Sequence, residues 1–403
     1  MKGFSLSQWS VIVILALLTA LEPLSIDLYL PGFIEIGNAF KAPVSDVQLS
    51  LSTFLAGFAI GQLLWGPLAD KFGRKKPLLV SLVIFATASI GCLYVPSIEW
   101  LWGMRFIQAI GGCAGVVIAR AVVTDYFDKN NTLKIFAILA LIAGIAPIVA
   151  PSIGNTVLRL LQWEGLFEVL AVLGVLAFLL VMFFLPETQT QKVALRSENI
   201  LKVYFSLLHN KRFAIYSLIA GIVNGALMIY VANGPFLIIE KGGFSSDAFS
   251  IIFSINALGL MAASYLTTVV QKRMATNNLV KCAIFMMAIV SIILLTAMYI
   301  HASMPVILCI LFFYIFPIGV LFPTTTELAL MPFAETNKSG SASALFGSIQ
   351  LGIAFICTVV ANYISDGTTV SVGIALLFCG VLLFAIAFSK IRLAPITSSH
   401  PTT

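Results

Sequence analysis

Charge is scarce in this chain. Only 10% of its 403 residues are Asp, Glu, Lys or Arg, against about a quarter in soluble domains. That excludes an ordinary water-soluble globule. Histidine is rarer still, with three in all, and no Ser/His pairing, metal-ligand cluster or phosphate-cradling glycine loop stands out, so nothing recommends an enzyme, a metal site or a bound cofactor. The six cysteines, Cys92, Cys113, Cys282, Cys309, Cys357 and Cys379, each stand alone inside an apolar run. Without CxxC spacing they read as small buried packing residues rather than as disulfides or ligands. A cleavable leader is also missing from the pattern: "MKGFSLSQW" runs into an apolar stretch too long for a signal core, with no small-residue cleavage site directly after it. The first segment is therefore expected to stay as a helix.

What is present is apolar length. Hydrophobic residues make up 60% of the chain and the mean hydropathy is +1.04. Runs of about 18 or more apolar residues mark membrane helices, because lipid offers backbone groups no hydrogen-bond partner. Twelve such spans are predicted, from 9–30 to 370–389, with 133–154 and 164–185 as the fifth and sixth. Placing the N-terminus in the cytoplasm puts 19 of the 23 Lys and Arg on the cytoplasmic side. Only Lys41, Arg159 and Lys241 face out, and Arg105 lies within span 4. The net charge of +6 thus follows the positive-inside rule and does not point to nucleic acid. The longest polar interval, 186–212, separates an N-terminal six-helix bundle (1–185) from a C-terminal one (213–403) with a short cytoplasmic tail. Such a division suits transporter halves that rock about a site between them. Prolines inside the spans (Pro23, Pro147, Pro151, Pro235, Pro317 and Pro323) add bends that a static anchor would not need.

Three stretches carry specific chemistry. In "GPLADKFGRKKPL", Gly66 suits close helix approach and Gly73 a tight turn. Asp70 and Arg74 stand one helical turn apart, and Asp125, at the cytoplasmic end of span 4, offers Arg74 a second carboxylate. Asp70 is also placed to face the start of span 11 at Ser339, Gly340 and Ser341, latching the halves shut. "LWGMRFIQAIGG" buries Arg105 about two turns inside span 4, at a cost of at least about 2.5 kcal/mol unless it is paired; an acid at its own depth is expected. "AGIAPIVAPSIGN" lays Pro147, Pro151 and Gly154 along a smooth, bent face of span 5.

The first stretch resembles the signature loop of the major facilitator superfamily, G-x-L-A-D-R-x-G-R-K-x-x-L, with Lys71 as the substitution. The second is similar to its fourth-helix motif, with Ala109 for glycine. The third resembles its antiporter motif, with Ala146, Ala150 and Asn155 for glycines. "PLSIDLYLP", "STFLAGFAIGQLLWGPLAD", "FFLPET" and "NGPFLIIE" narrow the resemblance to the Bcr/CflA branch of drug:proton antiporters. The resemblance implies an all-α fold of twelve transmembrane helices in two halves, alternating access and export against a proton gradient. It also implies a bacterial inner-membrane location, with both termini cytoplasmic, and a monomer in the lipid bilayer.

Glu22 and Asp27 flank Pro23 in span 1. Burial disfavours a charged carboxyl and a nearby cation favours it, so an acid whose surroundings alternate can load and release a proton. Asp27, in the resembling motif, is the expected proton carrier, with Arg105 as its electrostatic partner. Glu22 rests on physics alone; five residues from Asp27, it differs from it by about 140° around the helix, which lets one acid face span 4 and the other the central cavity, so the two need not share one role. Gln62, Gln108, Asn224, Tyr230, Asn256 and Gln350 are the polar candidates for holding a small amphipathic substrate. The rival readings are a proton-coupled uptake symporter of a nutrient or metabolite and a non-transporting membrane sensor.

Overall fold

The computed structural model describes residues 5–189, 200–333, 336 and 338–389. Among them the regular structure is entirely helical: α1 (Leu6–Asp27), α2 (Phe33–Phe40), α3 (Val44–Phe72), α4 (Lys75–Gly91), α5 (Ile98–Tyr126), α6 (Lys129–Phe184), α7 (Ile200–Leu208), α8 (Lys211–Pro235), α9 (Ser246–Val270), α10 (Thr276–Tyr299), α11 (Met304–Leu330), α12 (Ser339–Tyr363) and α13 (Thr369–Phe388).

Eleven of the helical segments are long and apolar enough to cross a membrane. One of them, α6, is a hairpin. At Gln162 its backbone turns to φ 60, ψ −168, outside helical space. Residues eight apart in a straight helix are separated by about 12 Å, yet a side chain on Gly165 would meet Val157 Cγ1 at 3.2 Å. Leu158 and Leu166, one on each arm, also both approach Gly32. Counting the arms separately gives twelve spans, with the fifth and sixth where the apolar pattern puts them.

Helix α1 starts with Ser5 and Gln8 capping each other's backbone N–H groups, which satisfies donors that a helix start leaves free. In α8, Pro235 supplies no N–H, and the chain after it widens into a π-helical turn over Phe236–Lys241. Close crossings use small residues. At Gly57 and Gly61 of α3 an added Cβ would press on the Phe106 carbonyl and on Cys113 of α5. Gly66 is not such a point, since its nearest neighbour would be Val117 at 4.0 Å, an ordinary contact. The thiols divide: Cys92, Cys113 and Cys379 are buried, Cys357 is half-buried, and Cys282 and Cys309 are exposed on the surface of their spans. Burial therefore does not explain the last two.

The twelve spans form two six-helix halves. In the first, α3 packs on α5, α1 on α6 and α4 on both α5 and α6; in the second, α8 packs on α11, α12 and α13, and α10 on α11 and α13. The two largest seams between the halves are α3 against α12 and the first arm of α6 against α9. The end of the bundle where α1 begins, which also carries Arg74, Lys75 and Lys76, is called the basic end; the opposite end is the far end.

Candidate functional site

A cavity of about 330 Å³ lies between the halves. Its wall is mostly apolar, with Val116, Pro147, Leu227, Phe253 and Phe322 among the residues that line it. From α1 it takes Thr19, Glu22, Pro23, Ile26 and Asp27. That i, i+3, i+4, i+7, i+8 spacing is one helix stripe. The 140° between Glu22 and Asp27 therefore sets them at the two margins of a single wall, so both line the cavity, where the sequence pattern lets one of them face span 4 instead. Asp27 is 5% exposed and Glu22 half-buried. Neither accepts a hydrogen bond or an ion pair from any described residue.

Of the six polar candidates for holding substrate, Tyr230 and Asn256 line the cavity. The Asn256 amide donates to the Tyr230 hydroxyl at 2.7 Å, and the Tyr230 ring stacks on Phe253 at 5.8 Å. Asn256 also borders a second, apolar pocket between α9 and α11, beside Ile255 and Phe312. The other four do not line the cavity. Gln62 is pressed against the backbone at Gly347 of α12. Asn224 is buried and Gln350 half-buried elsewhere. Gln108 is committed to structure: its Oε1 accepts from Arg105 at 2.5 Å and its amide donates to Ser89 Oγ at 2.7 Å.

Arg105 is fully buried, and among the described residues it has no carboxylate within ion-pair distance. The expected acid is replaced by the end of α1. Arg105 Nη2 donates to the Ser25 carbonyl at 2.9 Å, one of the last carbonyls of that helix, which have no partner of their own and carry the negative end of its dipole. The rings of Phe54, Tyr29 and Phe167 surround the guanidinium at 4.3, 4.7 and 5.9 Å, and such contacts are worth about 2 kcal/mol when desolvated. Its Nε finds no hydrogen-bond acceptor. The arginine that does line the cavity is Arg120, near the basic end of α5. In the sequence it is hidden among the cations that the positive-inside pattern accounts for.

The comparisons agree with this architecture. A sequence profile described as Major Facilitator Superfamily matches residues 15–356. The chain belongs to the Major Facilitator Superfamily. Among superfamily members it is 35% identical to an uncharacterized transporter, YdgK, of Bacillus subtilis, over 93% of both chains. It is 29% identical to a bicyclomycin resistance protein homolog of Haemophilus influenzae, over 87% of this chain and 88% of that one. It is 30% identical to the multidrug transporter MdfA of Edwardsiella ictaluri, over 84% and 82%. A crystal structure of a D-xylose-proton symporter shares the Major Facilitator fold at a TM-score of 0.80 and 16% identity, covering 96% of this chain and 98% of that one.

The superfamily's loop motif is compact in this chain. Arg74 sits between Asp70 Oδ1 at 2.5 Å and Asp125 Oδ2 at 2.8 Å. Gly73 adopts φ +90, and a Cβ there would strike the Glu187 carboxylate at 2.5 Å. Glu187, from "FFLPET", accepts the backbone N–H of Arg74 at 2.8 Å and of Lys75 at 3.2 Å. Sequence reasoning leaves Glu187 out of the cluster; the only hint is its place in that resembling stretch. Burial pushes its carboxyl up, but backbone N–H groups of Arg74, Gln189, Lys75 and Thr188 outweigh this and hold it below the ordinary glutamate range. All these residues belong to the first half and the chain just after it. The expected reach of Asp70 to the start of α12 is not made, and Gly340 there has open space around it. Among the described residues no hydrogen bond or ion pair joins this loop to the start of α12, so the expected latch is not seen there.

The halves meet at the far end instead. Asp247 of α9 accepts from Asn155 Nδ2 at 2.5 Å and pairs with Arg159. Ser250 and Ser254 donate to the carbonyls of Pro151 and Ile148 at 3.2 and 2.6 Å. Gln48 donates to Asn233 at 3.2 Å, and Asn362 to the Ser45 carbonyl at 2.6 Å. Along the antiporter-like stretch, Pro147 lines the cavity and Gly144 meets Met261 of the other half. Gly154 faces inward, against the Leu28 carbonyl just past α1. It braces its own half and is not part of the sliding face.

Proposed function

We propose that this protein is a proton-coupled exporter of small, mostly amphipathic, drug-like molecules, working by alternating access in a bacterial inner membrane with both termini in the cytoplasm. One observation carries the reading: two carboxylates without hydrogen-bond or ion-pair partners among the described residues, Glu22 and Asp27, edge one stripe of an apolar cavity between the halves. Uncompensated acids are costly at membrane depth and mark sites of function. The named activities of the relatives, multidrug transport and bicyclomycin resistance, support export of drug-like compounds.

The chain's own groups suggest how the cycle runs. With the far end closed, the cavity admits an amphipathic molecule from the basic, cytoplasmic side, and the apolar wall holds its body. A cation held at Glu22 sits on the same helix stripe as Asp27 and favours its ionised form, whereas a proton on Asp27 weakens the pull on that cation, so substrate and proton oppose each other without sharing one carboxylate. Rocking of 1–185 against 213–403 about the interval 186–212 then exchanges the open end. Residues 190–199 of that interval lie outside the described residues. In this scheme Asp27 carries the proton and Glu22 reads substrate charge, while Arg105 holds the end of α1 in place and so positions Asp27.

The deciding experiment is drug accumulation in inverted vesicles driven by a pH gradient. Asp27→Asn is expected to abolish it, and Glu22→Gln to change which substrates are carried. Full transport by Asp27→Asn overturns the mechanism. Substrate that binds together with protons, without releasing them from the purified protein, would instead indicate an uptake symporter.

A further inference from the structure

Four other arginines have protein acceptors, and Arg273, which like Arg120 has none among the described residues, does not line the cavity. Arg74 has two aspartates, Arg159 has Asp247, Arg212 has the Leu328 carbonyl, and Arg105 has Ser25 and Gln108. Arg120 is different: it lines the cavity, and no described residue accepts a hydrogen bond from it or lies within ion-pair distance. Glu22, on the same cavity wall, is equally without such a partner.

Their relative placement follows from one contact. A Cβ on Gly115 of α5 would touch the Leu18 carbonyl of α1 at 2.9 Å, so these two residues lie at one level of antiparallel helices. Glu22 is four residues from that level toward the far end, and Arg120 five residues toward the basic end. The two Cα atoms are thus separated by about 13 Å along the membrane axis. The side chains reach into the space between but do not pair. An apolar cavity with a carboxylate deep inside and a guanidinium nearer its basic end is a dipole awaiting its complement.

We infer that the preferred substrates of this cavity are amphipathic zwitterions, with the amine directed at Glu22 and the acidic group held by Arg120. The inference rests on the export function proposed above. A guanidinium presents a planar fork that matches a carboxylate with two parallel hydrogen bonds. A purely cationic molecule in the same cavity meets repulsion from Arg120, and a zwitterion converts that repulsion into attraction. Arg120 is exposed toward the open basic end and Glu22 is half-buried, so the effect is strongest at the Glu22 end, where the apolar wall leaves fewer competing dipoles. Arg120 thus sets specificity while Asp27 remains the proton carrier.

The test is equilibrium binding to the purified full-length protein, using a zwitterionic fluoroquinolone and the monocation tetraphenylphosphonium. Arg120→Gln is expected to weaken quinolone binding at least tenfold and to tighten tetraphenylphosphonium binding severalfold. Arg120→Lys, which keeps the charge but loses the fork, is expected to recover part of the quinolone affinity. Unchanged quinolone affinity in Arg120→Gln overturns the inference. So does an equal loss for both ligands, or a wild-type protein that binds tetraphenylphosphonium but not the quinolone. Failure of the export reading is separately visible, as wild-type proteoliposomes that move neither compound under a pH gradient.

Discussion

At the far end of the bundle polar side chains reach across between the halves, whereas at the basic end the described ones stay within their own half. Asp247 ties α9 to Asn155 and Arg159 of α6, and Asn362 ties α12 to the start of α3. Arg74, Asp70, Asp125 and Glu187 use the same chemistry without touching the second half. Contacts of the first kind must break before the cavity opens to the far side. Those of the second kind survive any movement between the halves, because both partners move together. Charged residues at the ends of a transporter therefore divide into clasps and braces, and the division depends on which half holds the partner rather than on the strength of the bond.

The largest effect is expected at the brace. Arg74 is 12% exposed between carboxylates that are 53% and 25% exposed, so Arg74→Ala leaves two like charges facing each other across a partly buried gap. A loss of about 1–3 kcal/mol follows from charge-assisted hydrogen bonds of this kind, read as a lowered melting temperature of the purified protein. Arg74→Lys should recover only part, since a single ammonium lacks the fork that spans both acids. Glu187 adds a pH signature. Its folded-state affinity for protons is lowered, so the stability it contributes is complete above the ordinary glutamate pKa of about 4.3 and is lost as pH falls through the lower folded value. The difference in melting temperature between wild type and Glu187→Gln should accordingly be flat from pH 8 to pH 5 and shrink only in stronger acid. A difference that changes across neutral pH would show that Glu187 is not held by these donors.

A middle-sized effect is expected at the clasp. Asp247→Ala removes the acceptor of buried Asn155 and the partner of Arg159, both on the opposite half. The far-closed state should lose about 1–2 kcal/mol relative to the far-open one, a shift of roughly 5–30-fold in their ratio. Spin labels at Tyr94→Cys and Tyr363→Cys, exposed on the far ends of the two halves, would report it as a larger population at long distance. The same labels in Arg74→Ala should show no such change, and if they do, the distinction between clasp and brace fails.

Much of this is legible in the sequence, for reasons that also explain what is not. The spans follow from apolar runs that only helices can carry through lipid, and even the hairpin at Gln162 falls between two predicted runs. Asp27 and Glu22 stand out because a carboxylate is conspicuous in such a run. Arg105 stands out too, but its partner does not, because that partner is a backbone carbonyl at the end of α1 and any sequence supplies carbonyls. Arg120 is hidden by a correct rule: positive charges gather at one end of the spans, and nothing in the pattern says which of them turns toward a cavity. The far-end clasp is invisible because Asn155 and Asp247 are 92 residues apart, with no periodicity to link them. Asn155 reads only as a glycine replacement in a motif, yet its amide faces the other half.

The smallest effect should come from Arg159, and it is the one that separates a short contact from an important one. Arg159 and Asp247 pair closely, but their side chains are 60% and 55% exposed. Water and salt screen such a pair, and holding two long side chains together costs entropy, so it is worth between zero and about 1 kcal/mol. Asn155, bonded to the same carboxylate, is 5% exposed, and losing that bond strands a buried amide. Arg159→Gln should therefore leave the Tyr94 to Tyr363 distance distribution nearly unchanged, with whatever small shift occurs vanishing at high salt. Asn155→Ala should reproduce most of the Asp247→Ala shift, and salt should not abolish it. If instead Arg159→Gln alone opens the far end, the clasp is electrostatic and acts through the exposed pair, and the buried amide is not what holds the halves together.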